Sequence, residues 1–219
     1  MAMNFDQARL NMVENQVRPW EVLDGRVLDV LGKIHREDFV AAAHRQLAFA
    51  DLCLPLGHGE VMMKPVIEGR VLQALDLKPT DRVLEIGTGS GFLTACLASL
   101  SAHVTSVDMH ADFTIAASKR LQNAGIHNVS LVTGEAVQGW QPDESFDALV
   151  VTGAVSSLPA RWLNWLKTDA RALVIRGQSP VQHATLLTHE GAGRYREETL
   201  FETDLPYLAH AEPLKRFVF

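Results

Sequence analysis

The stretch RVLEIGTGSGF, residues 82–92, decides the fold of this chain. Its first five residues form a short apolar run bounded by turn residues, which predicts a buried β-strand. Three glycines follow at alternate positions, so the backbone can turn tightly and approach a ligand without an obstructing Cβ. A helical pattern continues from Leu93 to Leu100. Strand, glycine turn and helix in this order predict the ligand-binding unit of a parallel α/β sheet.

The rest of the chain after residue 92 repeats this rhythm. Further apolar runs are HVTSVD, VSLVTG, FDALVVTG and ARALVIRG, and a second helical pattern from Phe113 to Asn123 separates the first two of them. Strands that alternate with helices predict an α/β fold with a Rossmann-like, doubly wound, mostly parallel sheet. Near the end of the chain, ATLLTHEG and RYREETLFET flank a glycine-containing turn, which predicts antiparallel C-terminal edge strands.

The residues before this sheet are expected to form a helical N-terminal extension. Between Asp6 and Gly32 apolar positions recur at helical spacing with a break at Pro19, so two helices are predicted. A third helix is predicted over Val66–Leu75, opened by Pro65.

The length of 219 residues is within reach of one domain. We expect a single structural domain in which the extension, residues 1–78, packs on a core formed by residues 79–219. The extension includes a segment at 55–65 whose two glycines predict a loop.

The composition excludes several classes of function. A net charge of −6 and the lack of a basic run argue against nucleic acid as a partner. The two cysteines, Cys53 and Cys96, have neither CxxC spacing nor neighbouring histidines, so free thiols are expected and no metal site is predicted. The N-terminal residues lack the apolar region of a signal peptide, and no run of about 18 apolar residues suggests a membrane span. We therefore expect a cytoplasmic protein without a membrane partner.

The acidic residue at the head of the glycine turn indicates the chemistry of the ligand. Dinucleotide-binding turns read GxGxxG and leave a helix N-terminus open to a pyrophosphate, whereas this chain reads ExGxGxG from Glu85. A carboxylate there repels phosphate and suits an ammonium or a sulfonium. Asp108, at the end of the next strand, lies where a ribose diol would be held. These features predict S-adenosyl-L-methionine as the cofactor.

The third strand ends in Gly134-Glu135-Ala136, at the same edge of the sheet. Glu135 is expected beside the ligand crevice, where an adenine amino group is its natural partner, although a solvated glutamate is an equally good interpretation. The predicted cofactor-binding residues are Glu85, Gly87, Thr88, Gly89, Gly91, Asp108, Glu135, Ala136 and Thr152.

The stretch from about Arg36 to Gly177 resembles the protein-L-isoaspartate O-methyltransferases, over about two thirds of the chain. The motifs that carry the resemblance, in order, are REDFV, LPLGHGEVMMKP, RVLEIGTGSGF, HVTSVD, HNVSLVTGEAVQGW, FDALVVTGAVSSLP and LVIRG. The resemblance implies a Rossmann-like methyltransferase that esterifies the carboxylate of isoaspartyl residues in damaged proteins. It also implies that Glu85 and the glycines hold the methionine part of the cofactor and that Asp108 holds the ribose.

The chain departs from the family pattern on the acceptor side. Where the family has a serine in a Thr-Ile-Ser-Gln/Ala-Pro pattern, this chain has Met63, and a thioether cannot donate a hydrogen bond to an acceptor carboxylate. Lys64 is a candidate substitute donor, although a solvated loop lysine is the more common case. Met63 and Lys64 are therefore the candidate catalytic residues, on the segment 55–65 that we call the acceptor segment.

Two interpretations besides isoaspartyl methylation stay open from the sequence. The first is a methyltransferase of the same fold with a different, small-molecule acceptor, which Met63 favours. The second is a cofactor-binding protein without catalytic activity. His58, between two glycines, is a candidate general base, although a loop histidine is more often structural or solvated. The oligomeric state is not predicted.

Overall fold

The predicted strands form one seven-stranded sheet in the computed structural model, which describes residues 3–214. In chain order the strands are β1 (Leu54–Gly57), β2 (Glu60–Met62), β3 (Arg82–Ile86), β4 (His103–Asp108), β5 (Val129–Thr133), β6 (Phe146–Val155), β7 (Leu166–Gln178), β8 (Val181–His189) and β9 (Tyr195–Thr203). The sheet order is β5-β4-β3-β6-β7-β8-β9, with parallel pairing from β5 to β7 and antiparallel pairing beyond. The mostly parallel sheet and its antiparallel C-terminal edge are both confirmed.

The first five α-helices lie where the apolar periodicity predicts them, and the short sixth one was not predicted. The helices are α1 (Phe5–Met12), α2 (Gly25–Lys33), α3 (Pro65–Leu75), α4 (Phe92–Leu100), α5 (Ala111–Asn123) and the short α6 (Ala160–Leu163). The break expected near Pro19 is a short 3-10 turn, Arg18–Trp20. Within residues 3–214, no helix is long and apolar enough to cross a membrane.

The segment expected to be a loop, residues 55–65, differs from that expectation. Its first part forms the antiparallel β1–β2 hairpin, which turns through His58 and Gly59. Both glycines have a positive φ, 114° at Gly57, the last residue of β1, and 86° at Gly59 in the turn. Strands of four and three residues are too short to show an alternating pattern, so the glycines alone suggested a loop.

A buried ion pair joins distant parts of the N-terminal extension. The guanidinium of Arg36 is fully buried and pairs with the carboxylate of Glu68 on α3. It also donates hydrogen bonds of 2.7 Å to the carbonyl oxygens of Ala48 and Met63. Burial raises the pKa of Glu68 to about 7, and the charge of Arg36 opposes that shift. One side chain therefore fixes the end of the acceptor segment and the start of α3.

We expect Arg36→Met to lower the free energy of unfolding by about 3–5 kcal/mol, because it leaves Glu68 buried without its cation. The double variant Arg36→Met/Glu68→Leu should recover part of this loss, since no charge is then buried, although two carbonyls still lack a donor. Urea denaturation followed by circular dichroism measures both values. The control is Arg45→Met, which breaks an exposed pair with Asp38 and should cost at most about 1 kcal/mol. A double variant as unstable as the sum of its two single variants would contradict this account.

Candidate active site

Three parallel strands are tied together at the first glycine of the turn. The amide of Gly87 donates to the carbonyl oxygen of Val107 on β4 (2.8 Å), and the hydroxyl of Thr152 on β6 donates to the carbonyl oxygen of Gly87 (2.7 Å). Gly87 has a φ of 97°, and a Cβ there would lie 2.1 Å from the Thr152 hydroxyl oxygen. Both the backbone conformation and the contact therefore require glycine at this position.

A cavity opens above this tie, at the carboxyl ends of β3 to β6. The space inside it, including the part that is open to solvent, is about 580 Å³. The hairpin covers one side, and the start of α5 lies on the other. The predicted cofactor-binding residues that line this cavity are Gly87, Gly89, Asp108, Glu135, Ala136 and Thr152.

A smaller cavity lies beside the same turn, toward the acceptor segment. Glu85, Thr88 and Met63 line it, together with apolar side chains of the hairpin and with Glu68. Gly91 lines neither cavity. A Cβ on Gly91 would lie 2.9 Å from Ala117, so this glycine lets α4 pack closely on α5.

Asp108 is held in one orientation at the end of β4. One carboxylate oxygen accepts from the amide of Gly89 and the other from the amide of His110, both at 2.9 Å. A carboxylate offers about four lone-pair positions, so each oxygen can accept a further hydrogen bond. Asp108 is thus a preoriented acceptor on the wall of the larger cavity.

Glu85 is fully buried and only half satisfied. Its Oε2 atom accepts from the hydroxyls of Thr94 (2.5 Å) and Ser106 (2.6 Å), while Oε1 lacks a partner in the part of the chain that the structure describes. Burial raises the pKa of Glu85 to about 8, and the two hydroxyl hydrogen bonds oppose that shift. A buried carboxylate with a free oxygen beside a cavity can accept a cationic ligand.

Glu135 has a different environment from the one expected. Its two carboxylate oxygens accept from the backbone amides of Val137 and Gln138, each at 2.8 Å, so the side chain caps the turn after β5. It still lines the larger cavity. The carbonyl oxygen of the next residue, Ala136, accepts from the guanidinium of Arg161 and the indole of Trp162. Hydrogen bonds from α6 therefore hold this wall of the cavity in place.

The two candidate catalytic residues are placed differently. The side chain of Met63 is buried and lines the smaller cavity. Lys64 is exposed at the start of α3 and lines neither cavity. His58 also lies outside both cavities, at the tip of the hairpin. The structure thus brings Met63, but not Lys64 or His58, to the cofactor side of the acceptor segment.

Sequence reasoning missed several residues that line the larger cavity. Leu56 and Glu60 come from the hairpin, and His110 and Phe113 come from the loop and helix after β4. His110 had a usable signal, because it follows the acidic residue Asp108 by two positions. The hairpin residues had none, since they reach the cavity only through tertiary packing.

The fold and this site define the class of the protein. A parallel sheet with a glycine turn after β3, an acidic residue at the head of the turn and a second one at the end of β4 is that of a Rossmann-like methyltransferase that uses S-adenosylmethionine. The family model described as protein-L-isoaspartate(D-aspartate) O-methyltransferase (PCMT) matches residues 8–205. The chain belongs to this family.

Individual relatives agree with the family assignment. The chain is 34% identical over 196 residues to a protein-L-isoaspartate O-methyltransferase of Koribacter versatilis (strain Ellin345), covering 90% of this chain and 88% of the relative. A crystal structure from Plasmodium falciparum, named as a protein-L-isoaspartate O-methyltransferase and solved with S-adenosyl-L-homocysteine, superposes with a TM-score of 0.78 at 19% identity. The match covers 94% of this chain and 99% of that one. Another structure named protein-L-isoaspartate O-methyltransferase gives a TM-score of 0.80 at 22% identity, covering 93% of this chain and 66% of that one.

We expect Glu85→Gln to change how stability depends on pH in the ligand-free protein. Burial raises the pKa of Glu85 from 4.5 to about 8, so the folded state holds a proton that the unfolded state releases between these values. This group therefore makes the free energy of unfolding fall as pH rises from about 4.5 to about 8, by at most about 1.4 kcal/mol per pH unit. Glutamine removes that contribution. Urea denaturation at a series of pH values measures the difference between the two proteins.

The control for this measurement is Glu198→Gln, an exposed position on β9. It should keep the pH dependence of the parent. If Glu85→Gln also keeps it, the buried carboxyl does not hold a proton in the ligand-free protein.

Proposed function

We propose that this chain transfers a methyl group from S-adenosylmethionine to the carboxylate of an isoaspartyl residue in a peptide or protein. The observation that carries the cofactor part is buried Glu85, which lines the cavity between the glycine turn and Met63 and whose Oε1 atom has no partner among the described residues. Family membership supports the acceptor class. The proposal includes repair of damaged proteins in the cytoplasm, as the sequence resemblance implies. It involves no nucleic acid, in keeping with the net charge of −6.

The proposed cofactor position follows the walls of the two cavities. The adenine lies against Glu135 and Ala136, and because the Glu135 oxygens already accept backbone amides, this wall contributes mainly shape. Asp108 accepts hydrogen bonds from the ribose hydroxyls. The methionine part follows the turn into the smaller cavity, toward Glu85. The remaining members of the set, which shape the turn or border it, are Gly87, Thr88, Gly89, Gly91 and Thr152.

The positive charge of the cofactor explains why a buried carboxyl heads the turn. In the ligand-free site Glu85 is mostly protonated at neutral pH, because its pKa is about 8. A sulfonium or ammonium beside Oε1 favours the ionised form, so binding of the cofactor is coupled to release of a proton. The hydroxyls of Thr94 and Ser106 already donate to the other oxygen and stabilise the charge that forms.

Methyl transfer itself needs little acid–base catalysis from the protein. The bound cofactor supplies an electrophilic methyl group on a sulfonium. An acceptor carboxylate is already ionised at neutral pH, so no general base is needed. The protein has to orient the carboxylate in line with the methyl–sulfur bond and exclude water. Met63 and its apolar neighbours on the hairpin exclude water, but they do not donate to the acceptor.

The same feature favours a second candidate function. Leu56, Val61, Met62, Met63 and Leu93 form the apolar part of the lining of the smaller cavity. Such a wall also suits a less polar small-molecule acceptor, methylated by the same cofactor. Under this alternative the parent protein binds the cofactor fully and does not methylate isoaspartyl peptides.

We expect Asp108→Ala to weaken binding of S-adenosylhomocysteine about ten- to a hundredfold, because hydrogen bonds between the ribose and a charged acceptor contribute about 1.5–3 kcal/mol. Isothermal titration calorimetry measures the change. Asp143→Ala, at an exposed position away from both cavities, is the control and should bind like the parent. Unchanged affinity in a folded Asp108→Ala protein would show that the ribose binds elsewhere.

We expect the parent to methylate an isoaspartyl peptide slowly and Met63→Ser to be faster. A buried carboxylate that lacks one donor loses about 1–3 kcal/mol, or about five- to 150-fold in rate if the loss is felt in the transition state. Recovery should be partial, since Val61, Met62 and Lys64 still differ from the family pattern. Transfer from labelled cofactor to an isoaspartyl peptide, beside the matched aspartyl peptide, measures both rates.

The control for Met63→Ser is Met62→Ser, which changes the neighbouring methionine and should not raise the rate of methyl transfer. If the parent is already fast, the serine is dispensable and the interpretation of Met63 is wrong. If parent and Met63→Ser are both inactive while cofactor binding is intact, the small-molecule acceptor replaces the isoaspartyl one.

A further inference from the structure

Two histidines and an aspartate meet at the edge of the larger cavity. His58 lies at the tip of the β1–β2 hairpin, whereas His110 and Asp112 lie at the start of α5. The His58 Nε2 atom is 3.0 Å from the Asp112 Oδ2 atom. The imidazole rings of His58 and His110 stack with their centroids 4.0 Å apart. One ligand atom from each of the three side chains lies within 4.8 Å of the other two.

The donor set is one that binds transition metals. Two imidazole nitrogens and a carboxylate oxygen suit Zn²⁺, Ni²⁺ or Cu²⁺, and three protein ligands leave a position for water. Around a tetrahedral ion with bonds of about 2.0–2.1 Å, donor atoms lie about 3.4 Å apart. The separation of 3.0 Å between His58 and Asp112 is already near this value. A separation of up to 4.8 Å requires a shift of about 1.4 Å, and because the two imidazoles stack nearly parallel (8°), one ring also has to turn so that both in-plane lone pairs meet at the ion. His58 is 46% exposed and Asp112 is 65% exposed, so these two side chains have room to make the movements.

The surroundings of the cluster support a cation. Phe113 is buried and packs edge-on against both imidazoles, with centroid distances of 5.4 and 5.2 Å, so the two rings lie side by side on one apolar side chain. The carboxylates of Glu60 and Asp108 line the same cavity as His110. Among the described residues, this is the group of histidine, cysteine and acidic side chains whose spacing could hold a metal ion.

The three side chains of the cluster come from two elements that lie on different sides of the larger cavity. The hairpin contributes Leu56, Glu60 and Val61 to one side of the cavity, and the segment after β4 contributes His110 and Phe113 to another. His58 belongs to the first element, while the other two ligands belong to the second. An ion bound by all three would connect the hairpin to α5 beside the cofactor.

We propose that His58, His110 and Asp112 bind one divalent transition metal ion and that this ion joins the hairpin to α5 at the edge of the cofactor cavity. The ion restrains the hairpin, so the cofactor product leaves more slowly when the metal is bound. The metal site is independent of the proposed function, whereas the effect on product release rests on the proposed cofactor position.

The metal site is tested by titrating the full chain, without an affinity tag, with Zn²⁺ in the presence of a chromophoric competing chelator. We expect one equivalent of saturable binding. His110→Ala, Asp112→Asn and His58→Asn should each weaken it at least about tenfold, and asparagine is chosen at position 58 because it tolerates the positive φ of 54° there. His127→Ala and Asp143→Asn, exposed elsewhere, are the matched controls and should bind like the parent.

The outcomes separate the two parts of the proposal. Absence of saturable binding, or equal binding by parent and variants, overturns the metal site. If Zn²⁺ binds as expected, the dissociation rate of S-adenosylhomocysteine is compared with and without Zn²⁺ by stopped flow. Slower dissociation in the parent but not in Asp112→Asn supports the connection across the cavity, and an unchanged rate overturns it. Failure of S-adenosylhomocysteine to bind at all contradicts the proposed cofactor position, while the Zn²⁺ titration still decides the metal site.

Discussion

The carboxyl ends of β4, β3 and β6 are fastened to one another through the backbone of Gly87, and the site depends on that contact. The amide of Gly87 is bonded to β4 and its carbonyl oxygen to Thr152 of β6. A side chain at position 87 would collide with Thr152, so the protein cannot place one of its own side chains in the space at this turn. Beside the space that this leaves lies Glu85, whose Oε1 atom has no partner among residues 3–214, so a ligand bound there would complete the hydrogen bonding of this carboxyl group.

Local sequence signals were enough to predict the glycine turn and its surroundings, because these parts lie close together in the chain. The strand, the turn and α4 are contiguous, and Asp108 ends the next strand, so a rule about parallel sheets places all of them at one edge. The same rule placed Glu135 there correctly. The rule could not give the direction of the Glu135 side chain. The backbone amides of Val137 and Gln138, in the turn after β5, donate to this carboxylate and set its direction.

Contacts between distant segments were beyond the reach of the sequence. The hairpin was predicted as a loop because its strands are too short to show a period, and its packing against the turn through Leu56 and Gly89 is a tertiary contact. The approach of His58 to His110 follows from that packing alone. No helical or local spacing joins positions 58 and 110, so nothing in the sequence indicated that these two histidines stack. The buried pair of Arg36 and Glu68 was invisible for the same reason.

The acceptor segment is held in place through its backbone. Its side chains can therefore vary while the geometry of the proposed cofactor site stays the same. Arg36 bonds to the carbonyl oxygen of Met63 and not to its side chain, so the backbone there is fixed for any residue at position 63. The cofactor turn is fixed separately, through Gly87, Thr152 and Asp108. Because the two supports share no hydrogen bond, a change from hydroxyl to thioether at position 63 would alter the side chain offered to the proposed acceptor without moving the turn. On this proposal, acceptor chemistry is the part of the site that substitution can change most freely.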